Sequence, residues 1–124
     1  MKKKTVVLVV EDDFLIRMGA LDIVRSAGYE ALEARGSAEA INILASREDV
    51  DLLFTDVNMP GKMDGLQLAF YVHQHLPKVG IIVASGTLVV QTKTLPTGAR
   101  FFTKPYSEQE IAAEMAAMLE ALQR

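Results

Sequence analysis

Glu11 and Asp12 follow one apolar run, Asp56 ends a second, Ser85 ends a third and Lys104 ends a fourth. These are the residues in the chain whose types and positions could do chemistry. If the apolar runs are strands of one parallel sheet, all of these side chains emerge at its carboxyl edge, where open α/β sheets bind their ligands. Three clustered carboxylates repel one another. One lysine offsets part of that repulsion, and a hard divalent cation with oxygen ligands would offset the rest. Magnesium fits a shallow edge site of this kind, because it keeps several waters and takes only one or two carboxylates together with phosphate oxygens. Each residue alone has an ordinary explanation as a turn acid, a strand-end serine or a surface lysine. Their joint arrival from separate strands is what points to a site.

The elements that must deliver them are legible in the hydrophobic pattern. Thr5 to Val10 is a continuous β-branched and apolar run, the signature of a strand buried on both faces. From Phe14 to Ala27 the apolar positions take helical spacing, and Gly28 supplies a stop. Tyr29 to Ala34 reads as a second strand, and Ser37 opens a helix through about Ser46. Asp51 to Asp56 is the third strand. A Pro/Gly-rich loop, Val57-Asn58-Met59-Pro60-Gly61-Lys62-Met63-Asp64, leads from it into a helix from about Gly65 to Leu76, halted by Pro77.

Gly80 to Ala84 and Ala99 to Thr103 complete the strands. Between them, Thr87 to Pro96 is rich in β-branched residues that disfavour helix, and a short or irregular helix is expected there. In the last helix Ser107 and Glu110 form a capping box, and Ile111, Met115, Met118, Leu119 and Leu122 make an apolar stripe. Strands alternating with helices imply right-handed crossovers and a parallel sheet covered on both faces.

Composition narrows the class of protein. The 124 residues amount to one domain, and 50% hydrophobic content suffices for a core without disulfides or a structural metal. With no cysteine there is no disulfide framework and no thiolate zinc site. A net charge of -3 argues against a general grip on nucleic acid. Lys2-Lys3-Lys4 is too short a basic run for a membrane anchor, and Val6 to Val10 is far too short to span a bilayer. The expected setting is the cytoplasm. Neither a linker nor an internal repeat divides the chain.

Taken together, Glu11-Asp12, Asp56-Val57-Asn58-Met59-Pro60, Met63-Asp64-Gly65, Ser85-Gly86 and Lys104-Pro105 resemble, in order and approximate spacing, the receiver domain of two-component response regulators, the CheY-like family. The resemblance spans essentially the whole chain, so residues 1–124 are expected to be one response regulatory domain. It implies a single doubly wound α/β fold, flavodoxin-like, with a five-stranded parallel sheet in the order 2-1-3-4-5. It also implies that Asp56 is the phosphoacceptor for a sensor histidine kinase or phosphotransfer protein and becomes a 4-aspartylphosphate.

The resemblance further implies that Asp12, Asp56 and the backbone carbonyl of Asn58 bind magnesium, with Glu11 acting through water. Lys104 would pair with the phosphoryl oxygens, the Ser85 hydroxyl would swing in to bond one of them, and Phe101 matches the aromatic switch position. Asn58 and Thr87 occupy positions that tune phosphate lifetime. Such a domain is a self-phosphorylating switch that slowly loses its phosphate and not a conventional enzyme. It signals to a protein partner, with a homodimer as one form the active state can take, and makes no direct contact with nucleic acid or membrane. With no output domain in these residues, such a domain either acts alone or is part of a larger regulator or hybrid kinase, and Met1 and the end of the last helix at Gln123-Arg124 favour the first only modestly.

Two departures stand out. Lys62 is an extra residue between Met-Pro-Gly and Met-Asp-Gly, and it places a charge in the loop after the acceptor. The span from Ser85 to Lys104 is shorter than is usual in the family. Two rival readings are a docking receiver that works without phosphorylation, which would ordinarily lack the acids or the lysine, and a phosphatase with an aspartyl-phosphate intermediate, whose nucleophile lies in an Asp-x-Asp motif absent after the first strand here.

Overall fold

A computed structural model of the chain describes residues 4–86 and 95–122. Its elements follow in the order β1 (Val6–Val10), α1 (Phe14–Ser26), β2 (Glu30–Ala34), α2 (Ser37–Ser46), β3 (Leu52–Asp56), α3 (Gly65–His75), β4 (Gly80–Ser85), β5 (Arg100–Thr103) and α4 (Glu108–Leu122). The strands form one parallel sheet in the order β2-β1-β3-β4-β5. The fold is therefore the one expected. The irregular helix expected between β4 and β5 falls mainly on residues 87–94, which lie outside the described residues, as do Thr87, Lys2, Lys3 and the terminal Gln123-Arg124.

The continuous apolar runs are explained by burial on both sides. Along β1, Val6, Leu8 and Val10 face the layer made by α2 and α3, whereas Val7 and Val9 face α1 and α4. The same alternation holds on β4, with Ile81 and Val83 on one face and Ile82 and Ala84 on the other. A strand with helices on each face has no polar side to show, so its period-2 pattern is lost. In α4, Ile111, Met115, Met118 and Leu119 pack into the second layer, but Leu122 is exposed and is not part of the buried stripe that the spacing predicted. Leu122 sits on the last turn of α4, where it lines an open groove with Val79 and Gly80 instead of closing into the core.

Caps set the helix ends. Asp13 accepts a hydrogen bond from the Ile16 amide at 2.9 Å and starts α1. Gly28, at φ +89°, ends it, and its amide donates to the Arg25 carbonyl. A reciprocal capping box joins Asp64 and Gln67 at the start of α3. For α4, the Ser107 hydroxyl accepts from the Glu110 amide at 3.1 Å, which is one of the two bonds of the capping box that the sequence pattern predicts. Ser37 behaves differently from its expected role. Gly36 holds the cap position of α2, and Ser37 is a buried first-turn residue whose hydroxyl donates to the Met63 carbonyl at 2.9 Å. Among the described residues, no helix is long and apolar enough to cross a membrane.

Candidate functional site

Because β1, β3, β4 and β5 run parallel, their last residues and the residues just after them meet at one edge of the sheet. Glu11 follows β1, and its amide extends the ladder by donating to the Ala34 carbonyl at 3.0 Å. Asp56 is the last residue of β3, in register with Ala84, and Ser85 is the last of β4, in register with Thr103. The Lys104 amide donates to the Ser85 carbonyl at 2.9 Å, which carries the pairing one residue beyond β5. The Lys104–Pro105 peptide that follows is cis. Glu11, Asp56, Ser85 and Lys104 thus project from main chain held by the sheet, the kind of rigid support that a positioned site requires, whereas Asp12 lies one residue further on.

The side chains converge. The Lys104 ammonium lies 2.9 Å from Asp56 Oδ1 and 2.9 Å from Glu11 Oε1. Carboxylate oxygens of Glu11, Asp12 and Asp56 all lie within 4.8 Å of one another. Glu11 and Asp56 are buried and Asp12 is exposed, so the cluster opens to solvent on its Asp12 side. Burial pushes the Glu11 carboxyl above its ordinary pKa, against the lowering effect of its bonds with Lys104 and the Asp13 amide, and the nearby Asp56 charge adds to the rise. Burial also works against the Lys104 charge, but its hydrogen bonds to Glu11 and Asp56 outweigh this and the ammonium pKa is raised. Tyr106 beside them is raised chiefly by burial, and its ring packs on Phe54 at 5.6 Å between centroids.

The charges indicate what the cluster can hold. Three carboxylates and one ammonium leave two negative charges unbalanced, and every donor in the group is a hard carboxylate oxygen. That donor set suits magnesium or calcium, and with no nitrogen or sulfur ligand it does not suit zinc.

The remaining candidates surround this centre. Ser85 is fully buried, and the Asn58 amide nitrogen donates to its hydroxyl at 3.5 Å. Phe101 is half-buried against the layer formed with α2 and α3, while Phe102 packs on the opposite layer. Lys62 is exposed in the loop after β3, beside Gly61 at φ +110°. That loop is tied down at two points: the Ser37 hydroxyl bonds to Met63, and the Gly65 amide donates to the Val57 carbonyl at 2.9 Å.

Two residues near the centre escaped the sequence reading. Arg17 is one of the charged residues interspersed in the helical pattern from Phe14 to Ala27, yet it is buried, with Nη1 donating to the Glu11 carbonyl and Nε to Glu33 Oε1. The steric role of Gly65 was equally hidden. A Cβ there would overlap the Asp56 carbonyl oxygen, so α3 can start this close to the acceptor strand only from a glycine. The only hint in the sequence was the Asp-Gly pair opening the helix.

Residues 7–116 match the family model for the response regulator receiver domain. The chain is 35% identical over 118 residues to the sensor kinase CckA of Brucella abortus, covering 92% of this chain and 12% of that kinase. Other curated relatives are the transcriptional regulatory protein YrkP of Bacillus subtilis and the aerobic respiration control protein ArcA of Escherichia coli, of which the chain spans 48% and 44%. Among solved structures, it superposes on the signal receiver domain of an HD domain-containing protein from Pseudomonas fluorescens with a TM-score of 0.87 and 26% identity, covering 98% of each chain. It has the fold of the response regulator TrrA of Thermotoga maritima in complex with Mg2+-BeF, with a TM-score of 0.84, 23% identity and coverage of 92% and 98%. With its parallel sheet in the order 2-1-3-4-5 and an acidic cluster paired with lysine at the carboxyl edge, the chain belongs to the response regulator receiver domain family of two-component systems.

Proposed function

We propose that the protein is a phosphorylation-dependent switch in which Asp56 accepts a phosphoryl group from a phosphohistidine of a sensor kinase or phosphotransfer protein. The observation that carries this reading is the Lys104 ammonium held 2.9 Å from Asp56 Oδ1, with the Glu11 and Asp12 carboxylates alongside. In the transfer an Asp56 carboxylate oxygen attacks phosphorus. The new O–P bond forms as the N–P bond breaks, and the electron pair returns to the imidazole nitrogen. Phosphoryl transfer is chiefly a matter of positioning and charge neutralisation. Asp56 is fixed by its strand, and Lys104 is placed to exchange a carboxylate contact for one with a phosphoryl oxygen.

Asp12, Asp56 and the Asn58 carbonyl would hold magnesium, with Glu11 acting through water; when bound, the ion neutralises the carboxylates and the incoming phosphoryl oxygens. The Ser85 hydroxyl would bond a phosphoryl oxygen, and Phe101, half-buried on β5, would change its packing in response. Asn58 and Thr87 would tune how long the phosphate lasts. A dianionic group added at this edge biases a two-state element, and partner binding follows the bias.

Exposed Phe14 and Leu15 adjoin the acid pair, and beside them a mainly apolar groove of about 610 Å³ runs along Ile16, Ile23, Pro105 and Tyr106, with Asp22, Lys104 and Glu108 also lining it. This apolar surface next to the acceptor suits docking of a protein phosphodonor. On this reading residues 1–124 form one receiver domain that works in the cytoplasm, and the complete set of acids, acceptor and lysine speaks against a docking role without phosphorylation.

The test is incubation with a small-molecule phosphodonor and magnesium, followed by intact mass. Wild-type protein gains one phosphoryl group and Asp56→Asn gains none. Equal labelling of the two, or turnover of a phosphomonoester without a stoichiometric adduct, refutes the reading.

A further inference from the structure

Asp12 is the exposed member of the acidic cluster, and among the described residues no hydrogen bond holds its carboxylate. Its reach toward Asp56 therefore depends on the main chain, on the plane of the Glu11–Asp12 peptide in particular. That peptide begins one residue past β1, where the sheet holds only the Glu11 amide, through Ala34. Its carbonyl oxygen accepts a hydrogen bond from Arg17 Nη1 at 2.9 Å, in a buried position.

Arg17 is itself firmly held. It is only 5% exposed, a degree of burial that arginine reaches only when paired. Nε donates to Glu33 Oε1 on β2 at 3.0 Å, the guanidinium carbon lies 5.7 Å from the centroid of the Phe14 ring, and the backbone amide bonds to the carbonyl of the cap residue Asp13 at 2.9 Å. A planar fork with one arm on a β2 carboxylate and the other on the Glu11 carbonyl fixes the orientation of a peptide plane that is rigid in itself.

We propose that Arg17 is a positioning residue for the acidic pair: it locks the Glu11–Asp12 peptide to β2 and so sets the Asp12 carboxylate for cation binding. The inference rests on the reading of Asp12 as a magnesium ligand. Removing a residue that orients a ligand weakens metal affinity by about 10- to 100-fold even though that residue never touches the metal.

The experiment is a magnesium titration of the unphosphorylated protein, followed through backbone amide resonances of Asp12 and Val57, with melting temperature measured separately in metal-free buffer. In Arg17→Met, which keeps the length of the side chain without its fork, the magnesium Kd rises by about tenfold or more. Arg17→Lys keeps the charge and loses the fork, and it stays weaker than wild type; full recovery of affinity by lysine overturns the positioning role.

An Arg17→Met protein that melts earlier but titrates like the wild type also overturns it, because it shows a purely structural arginine. Should Arg17→Met fail to fold, Glu33→Gln at the exposed end of the fork carries the test, with an expected rise in Kd of about threefold. An unchanged Kd in that variant counts against the proposal. A wild-type protein that binds no magnesium overturns the underlying reading of Asp12, and this outcome is distinct from failure of Arg17 alone.

Discussion

Replacing Gly65 by alanine tests the link from packing to chemistry most directly. A Cβ at this position would lie 2.6 Å from the Asp56 carbonyl carbon and 2.9 Å from the Val57 Cα, and would overlap the Asp56 carbonyl oxygen. Ordinary carbon contacts begin at about 3.5 Å, so α3 and the end of β3 must separate by about 0.9 Å or more. The obstructing atoms are all backbone, at the end of β3 where Asp56 is in register with Ala84 and the Val57 amide bonds to the Ala84 carbonyl, and they cannot swing away as a side chain would. Overpacking of this kind costs about 1–3 kcal/mol, and a rigid backbone obstacle places Gly65→Ala at the upper end.

For a chain of this size about 3 kcal/mol lowers Tm by roughly 10 °C. Because the displaced atoms belong to the acceptor residue, labelling of the folded fraction should also slow by about 100-fold, the scale expected for a misplacement near 1 Å. Urea unfolding and phosphodonor labelling measure the two effects. Gly36→Ala is the control, since a Cβ there meets nothing within 4 Å. If Gly65→Ala costs no more stability than Gly36→Ala, the steric account of this helix start is wrong.

Other expectations follow from the same geometry. Glu11 has a raised pKa in the folded protein, so the fold binds its proton more tightly than the unfolded chain does. The contribution of Glu11 to stability therefore falls as pH rises from the ordinary carboxylate range through its raised value. The stability of wild type minus that of Glu11→Gln, from urea titrations at successive pH values, should decline across that window, and a rise there would contradict the assignment. Leu15→Asp alters an exposed residue beside the acids and should slow transfer from a cognate histidine kinase by about tenfold, while labelling by a small phosphodonor is unchanged. Ser37→Ala leaves the Met63 carbonyl without its buried donor and should cost about 1 kcal/mol in urea unfolding, with faster amide exchange in the loop after β3.

Much of this protein could be read from one dimension. The runs Val6–Val10 and Leu52–Phe54 are apolar without alternation because helices cover both sheet faces, and that pattern with helical segments between them specifies a parallel sheet. A parallel sheet carries its strand ends to one edge, so Glu11, Asp12, Asp56, Ser85 and Lys104 could be grouped from their positions alone. What depended on distance and orientation could not. Ser37 reads as a cap and serves as a tether, because the hydroxyl's partner lies 26 positions away across the α2–α3 layer. Leu122 keeps the stripe's spacing but lines an open groove at the end of α4 and stays exposed. Arg17 has the polarity of a surface residue and the burial of a core one, since only the fold brings the Glu11 carbonyl and Glu33 within reach of a single guanidinium. Gly65 reads as a helix start, and only the approach of α3 to the Asp56 carbonyl shows why no side chain fits there. The sequence by itself determined which groups arrive at the site, because local patterns mark the strands and their alternation with helices makes the sheet parallel, so that the residues at the strand ends share one edge. Tertiary structure alone decided how those groups are held, because contacts between residues far apart in the chain leave no periodic trace in it.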